Sequence, residues 1–294
     1  MPEKLNKKMV YLILHYNTAD ATRECVASIR KMSSYSDSAI VIVDNASPDK
    51  SGPALRDEFA DDNNITVLLN KKNSGFSEGN NTGYRFIRET FDPDFITVCN
   101  NDTVFPEINY ATIVERIYHE EHFYIMGPDI YNPRLQIHQS PLAKASPGKT
   151  AARKTIFLNH IADLCFPLFW ITIGKRDAVK RFVNRTDSVE NYEEKMNNVP
   201  LMGACLILSR DFINKHEQLF QPITFLYYEE FMLYNHCIRN GEKMVYRPEV
   251  QILHYEGQAT SSLSSNDRDK YHRLVKNTLA ASRIYLADLK ELEK

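Results

Sequence analysis

The chain has 294 residues, 43% of them hydrophobic and 25% charged. That is enough for one large domain or two small ones, and too apolar for a disordered, fibrous or collagen-like chain. With 36 Lys+Arg against 38 Asp+Glu, the net charge is -2, so no global basic field exists for nucleic acid or for an anionic membrane.

The first hundred residues alternate strand and helix patterns. Residues 10–14 form an apolar run with β propensity and predict a buried first strand. Thr18 or Asp20 is placed to cap the following helix, where Ala21, Cys25, Ile29 and Met32 keep a helical period. A second buried strand is expected over 39–43, and Asn-Ala-Ser-Pro-Asp after Asp44 is turn chemistry. A short helix over 53–60, a strand over 65–69, a helix over 77–88 and a strand over 95–99 follow. The alternation implies a parallel sheet of right-handed βαβ units. The second half is more mixed. Residues 127–150, rich in Pro, Gln and Ser, predict loop, and 175–198 predict helix plus loop. Residues 201–208 predict an apolar strand containing Gly203, and 229–240 a helix stopped by Gly241. Short strands are expected over 244–246 and 250–253. From Asp269 the pattern is one amphipathic helix with Tyr271, Leu274, Val275, Leu279, Leu286 and Leu289 roughly on one face.

Five cysteines lie far apart with no C-x-x-C pair, which excludes a zinc knuckle and a thioredoxin-like motif. Reduced, partly buried thiols in a reducing cytosol are the plain expectation. The first apolar run, 9–14, is too short for a signal segment. The longest, 156–174, carries Asn159, His160, Asp163 and Pro167 and makes a poor membrane span. Its 157–170 part, flanked by Arg153, Lys154, Lys175 and Arg176, could rest against a bilayer. The plainer alternative is a core helix with a solvated basic flank.

Ligands of open α/β sheets bind beyond the carboxyl ends of the strands. Here those ends carry His15-Tyr16-Asn17, then Asp44-Asn45, then Asn70 and a Gly/Asn-rich loop, then Asn100-Asn101-Asp102. Four polar strand ends in a row read as a site. It is no dinucleotide site, because the first turn holds no glycine. Gly75, Gly79 and Gly83 either let backbone approach a ligand or let a helix pack closely.

These residues carry a resemblance. Leu-His-Tyr-Asn at 14–17, Val-Asp-Asn-Ala-Ser-Pro-Asp at 43–49, Asn-Ser-Gly-Phe-Ser-Glu-Gly-Asn-Asn-Thr-Gly at 73–83 and Asn-Asn-Asp-Thr at 100–103 are similar to the family-2 glycosyltransferases, nearest their rhamnosyltransferase-like branch. The match continues with Gly-Ala-Cys-Leu-Ile-Leu from Gly203, Tyr-Glu-Glu-Phe from Tyr228, the stretch 240–249, and Leu-His-Tyr-Glu-Gly at 253–257. The resemblance implies a GT-A fold: a Rossmann-like, mostly parallel α/β sheet with helices on both faces, plus the C-terminal amphipathic helix. It divides the chain into a catalytic domain over 1–262, with a nucleotide-sugar half (1–125) and an acceptor half (126–262), and a helical tail over 263–294.

By the same resemblance, Tyr16 and Asn17 border the nucleotide pocket and Asp44 bonds the base. Asn73, Gly75, Asn80 and Asn81 match the loop that touches the nucleotide-sugar, with Asn101 and Glu229 in the same substrate-binding set. Asp102 matches the last acid of a D-x-D motif that holds a divalent metal, Mg²⁺ or Mn²⁺, on the diphosphate. The first position is Asn100, so one carboxylate is left. His254 approaches metal or diphosphate. Glu230 matches the catalytic base, usually Asp, which takes the proton of the acceptor hydroxyl. Glu229 and Glu230, being adjacent on a helix, point differently, so one alone can serve. Lys276 is a weaker candidate for a phosphate contact.

The implied reaction is inverting transfer of a sugar, with rhamnose from a dTDP donor first and other hexoses or a UDP-sugar open. The acceptor is a saccharide or lipid-linked hydroxyl in surface polysaccharide synthesis. Two rivals are a sugar nucleotidyltransferase, disfavoured because the first turn is neither basic nor glycine-rich, and a catalytically weak sugar-nucleotide binder or partner subunit. Sequons at Asn45, Asn80 and Asn101 fall in the donor loops, where glycans would block the pocket. The expectation is therefore a cytoplasmic protein, peripheral to the membrane at most. The oligomeric state stays open.

Overall fold

A computed structural model describes residues 4–166, 189–255 and 267–294. Trp170, Lys175, Arg176, the sequon at Asn184 and Gly257 lie outside the described residues.

The first half folds as the alternation requires. It runs β1 (Leu5–His15), α1 (Ala19–Arg30), β2 (Ser38–Asp44), α2 (Ser51–Glu58), β3 (Ile65–Leu69), α3 (Gly75–Thr90) and β4 (Phe91–Asn100). Then come β5 (Thr103–Val104), α4 (Tyr110–Glu121), β6 (Ile125–Asn132), β7 (Ile137–His138) and α5 (Lys149–Leu164). After the gap follow β8 (Met196–Asn197), β9 (Cys205–Ser209), α6 (Arg210–Lys215), α7 (Glu229–Arg239), β10 (Met244–His254) and α8 (Asp267–Glu291). One curled sheet runs β3-β2-β1-β4-β9-β6-β10-β5, with β7 on β6 and β8 on β10. β1, β2, β3 and β4 are parallel, and β9 enters antiparallel to both β4 and β6.

Alternation along β1 builds two cores. Met9, Tyr11 and Ile13 face a layer with Cys25 and Ile29 of α1 and Val114 and Ile117 of α4. Val10 and Leu12 face the other layer, with Tyr84 and Ile87 of α3 and Leu233 of α7. A side chain at Gly83 would meet Leu12 Cδ1 at 2.2 Å, so this glycine serves close packing of α3 on the sheet.

Several sequence expectations need correction. The stretch expected as loop from 127 begins inside β6 and includes β7. Pro128 is tolerated there because β10 slips register between Arg247 and Gln251, opposite it, where no ladder donor is needed. The two short strands expected around that slip are one strand, β10. The helix expected over 77–88 begins two residues earlier, at Gly75, and holds Asn80 and Asn81, which the resemblance assigned to a loop. Neither Thr18 nor Asp20 caps α1. The Thr18 hydroxyl accepts from Asn101 Nδ2 at 2.9 Å, and Asp20 pairs with Arg23.

The helical tail packs onto the body. Tyr285 of α8 is buried with Ala152 of α5 and Met232 of α7, and its hydroxyl donates to the Pro147 carbonyl at 2.6 Å. Cys25, Cys99, Cys205 and Cys237 are buried free thiols, and Cys165 is half-buried. The sequon asparagines Asn45, Asn80 and Asn101 are all buried.

Candidate active site

Parallel register brings three strand ends to one edge. His15 pairs with Asp44 across β1 and β2, and Leu14 with Asn100 across β1 and β4. The loops leaving that edge are held by buried polar contacts. His15 lies between the Thr22 and Ser51 hydroxyls, at 2.7 and 2.8 Å, and burial pushes its pKa down. It is therefore a neutral hub that ties α1 and α2 to the sheet. Tyr16 is half-exposed beside it. Asn17, at φ 54°, is buried and donates its backbone N–H to Ser47 Oγ at 2.8 Å.

Asp44 is buried and accepts from the Ser47 N–H at 3.1 Å and from the Ser47 hydroxyl at 2.5 Å, both on Oδ1. A side chain on Gly52 would strike Asp44 Oδ2 at 2.1 Å, so the first turn of α2 must be bare for the carboxylate to fit. Asn45, part of the second polar strand end, also organises the third. Its amide donates to Asn73 Oδ1 and the Gly75 carbonyl, and its oxygen accepts from Asn70 and from the Ser74 N–H.

Gly75 opens α3 at φ +84°, where a side chain would collide with the Phe225 carbonyl oxygen at 2.3 Å. The Phe76 N–H donates to that same carbonyl at 2.7 Å. Six residues on, Asn81 accepts from the Leu219 and Phe220 N–H groups at 3.0 and 2.9 Å and donates to the Phe220 carbonyl at 2.8 Å. Its amide is spent on the approach to α7. Asn80 donates to the Phe76 carbonyl, and its buried side-chain oxygen has no partner among the described residues. Asn101 is also turned inward, donating to Thr18 and Thr22. Of the expected donor contacts, Asn81 and Asn101 are thus positioned as braces, while Tyr16, Asn17, Asp44, Asn73 and Gly75 cluster at the edge.

On the other side, β10 ends at His254 opposite Thr103. His254 and Asp102 are buried, with Nε2 and Oδ1 3.2 Å apart. His254 Nδ1 lies 2.9 Å from Gln139 Oε1, an acceptor that orients the ring with Nε2 toward the Asp102 carboxylate. Asn100 Nδ2 is 3.5 Å from the same nitrogen. Among the described residues no group of three or more His, Cys, Asp or Glu could hold a metal. Asp102 and His254, one carboxylate and one imidazole, are donor types that a divalent ion accepts. Gln139 was missed because its partner is 115 residues away, in a stretch read as loop.

The adjacent acids do diverge. Glu229 is buried, accepts from the Thr224 hydroxyl at 3.0 Å, and is pushed up to about 8, chiefly by burial and then by the Glu230 charge. Glu230 is half-buried and lies over Gly203: a side chain there would meet Glu230 Oε1 at 2.7 Å. The next residue, Ala204, accepts the Asn100 N–H at 3.1 Å. The absence of a side chain at Gly203 thus makes room for the Glu230 carboxylate beside the β4 end. Tyr227 and Tyr228, at φ 78° and 69°, turn the chain sharply into α7, a strained entry for non-glycine residues. Lys276 is exposed on α8 and has no ion pair among the described residues.

This sheet order, with a polar edge formed by the parallel strand ends and an acid supplied by a helix after β9, is a GT-A architecture. The chain belongs to glycosyl transferase family 2, whose pattern matches residues 11–179. It is 26% identical over 117 residues to the glycosyltransferase GlyG of Streptococcus pneumoniae, a match covering 40% of this chain and 37% of that protein's length. Its fold is similar to a mannosyltransferase from Pyrobaculum calidifontis solved with GDP-Man and Mn²⁺, with a TM-score of 0.55, 11% identity, and 98% of this chain and 74% of that one covered. It is also similar to Staphylococcus aureus TarS 1–349 in complex with UDP-GlcNAc, with a TM-score of 0.53, 14% identity, and 97% and 70% covered.

Proposed function

We propose that the protein is an inverting glycosyltransferase that moves a sugar from a nucleoside-diphosphate donor to a hydroxyl acceptor. The observation that carries this reading is the divergence of Glu229 and Glu230, one buried against Thr224 and the other laid over Gly203 beside the β4 end. The acceptor oxygen attacks the anomeric carbon, the bond from that carbon to the diphosphate oxygen breaks, and the acceptor proton passes to the Glu230 carboxylate. Nucleoside diphosphate leaves with the bonding electrons. A carboxylate on the face opposite the leaving group is what direct displacement needs. Burial, and then the Glu230 charge beside it, push the Glu229 pKa up and favour its protonated form, which suits it less well to take a proton.

Asp44, with Tyr16 and Asn17 beside it, receives the nucleotide, and the Asn73–Gly75 turn lies along the sugar. Asp102 and His254 would hold a Mg²⁺ or Mn²⁺ ion, which supplies charge neutralisation on the departing diphosphate. Gln139 orients the His254 ring for that role. In support, the Pyrobaculum neighbour was solved with GDP-Man and Mn²⁺, and TarS with UDP-GlcNAc. A dTDP-rhamnose donor and a role in surface polysaccharide synthesis remain the finer proposal. The test is a transfer assay with UDP-, GDP- and dTDP-hexoses, with and without Mn²⁺ or Mg²⁺. One nucleotide class should support metal-stimulated turnover. Binding of a sugar nucleotide without transfer or hydrolysis under any condition would favour the weak-binder reading instead.

A further inference from the structure

The 16-residue helix α5 is amphipathic in the wrong sense for a core helix. Its small and polar residues Ala152, Asn159 and Ala162 are buried. Its large apolar residues point outward: Phe157 is 63% exposed, Leu158 53%, Ile161 41% and Leu164 75%. At about 100° per residue, these four and the cations Arg153 and Lys154 share one outward arc. Arg153 and Lys154 are exposed and have no ion pair among the described residues. The antiparallel neighbour α8 is joined to α5 by the Asp163–His272 and Lys149–Glu293 pairs. It adds Lys276 and Arg283, also exposed, and carries the exposed acid Asp269 nearer its start.

We propose that the outward face of α5, with the cations of α5 and α8, docks on the surface of an anionic lipid bilayer. Large apolar side chains beside Arg153 and Lys154, which have no ion pair among the described residues, match an acyl-chain boundary topped by anionic headgroups, the arrangement of a helix lying in the interface. Among the described residues no helix is long and apolar enough to cross a membrane. The α5–α8 pair is fastened to the element that bears Glu230. Tyr285 of α8 packs on Tyr228, just before α7, with ring centroids 4.8 Å apart, and Asp288 bonds His236 of α7 at 2.7 Å. A protein docked this way presents its acceptor side to lipid-borne hydroxyls, a consequence that rests on the proposed transfer reaction.

The test is co-sedimentation of the full chain with phosphatidylcholine vesicles, with and without phosphatidylglycerol. It reads no transfer, so it stands or falls apart from the assignment of the active site. Binding is expected to the anionic vesicles and to fall steeply in roughly 1 M salt, where the screening length is about 3 Å. Phe157→Ser with Leu164→Ser should cut partitioning about tenfold or more. Arg153→Glu with Lys154→Glu should cut it about fivefold or more per cation. Because these side chains are exposed, thermal unfolding should be unchanged and so separates lost docking from lost folding. No binding to anionic vesicles, or binding indifferent to both double variants, would overturn the proposal. So would a dimer in sedimentation velocity that the Phe157/Leu164 variant dissociates while vesicles stay unbound, which would assign the face to a second copy of the chain.

Discussion

The two sides of the active site are built by different means. The strand-end side is assembled from strands in register and from bonds between adjacent loops, from three residues apart in Ser47 to Asp44 to about thirty in Asn17 to Ser47 and Asn45 to Gly75. The α7 side is held at a distance. Asn81 reaches Phe220 across 139 residues, and Ser77 meets Thr224 across 147. The turn it steadies has two tyrosines in left-handed backbone. The strand-end side is thus held by contacts between strands and loops that lie next to one another in the sheet. The acid-bearing side is gripped by α3 through Ser77 and Asn81 and by α8 through Tyr285 and Asp288, so α3 links the two halves.

That contrast can be broken at defined residues. The largest effect belongs to Glu230→Gln, which keeps the shape and removes the base. Turnover should fall about 10²–10⁴-fold, the usual worth of general-base help. Intact turnover would reassign the base.

Asn81→Ala should act on stability instead. It strands the Leu219 and Phe220 N–H groups and the Phe220 carbonyl, at about 1–3 kcal/mol for each buried group left unpaired. Urea denaturation should show the loss, while nucleotide affinity holds. A collapse of donor affinity with unchanged stability would make Asn81 a ligand contact, as the sequence resemblance implies.

The next effect is a slope. The native state keeps a proton on Glu229 up to about pH 8, whereas the unfolded chain gives it up near 4.5. The native state therefore binds more protons in that window, and stability falls as pH rises through it. This contribution is complete below about pH 4.5 and gone above about pH 8. Glu229→Gln should flatten stability against pH between those limits, measured as urea midpoints at several pH values. An unchanged slope would place the titrating group elsewhere.

Much of the strand-end side could be read from sequence because its information is local. Apolar runs ending in His15, Asp44 and Asn100 mark strands and the edge they share, and parallel pairing aligns them. At 73–83 the helical period from Ser77 was legible, but the resemblance treated its asparagines as a ligand-touching loop. Gly83 instead lets α3 seat on Leu12, and Asn81 is a brace. The α7 side was legible only in its Glu-Glu pair. No pattern near Glu230 announces that Gly203 clears space for it, or that Gln139 sets the ring of His254. Those contacts exist only once β9 has inserted antiparallel beside β4. The apolar residues of α5 were legible as a stripe, but not which way the stripe faces.

The central claim is a division of labour, with the strand ends binding the donor and Glu230 removing the acceptor proton. Calorimetric titration of the donor into the Glu230→Gln protein tests it most directly. The account predicts wild-type donor affinity in a protein whose turnover has collapsed. Loss of affinity in step with turnover would contradict it, by placing Glu230 in the donor pocket.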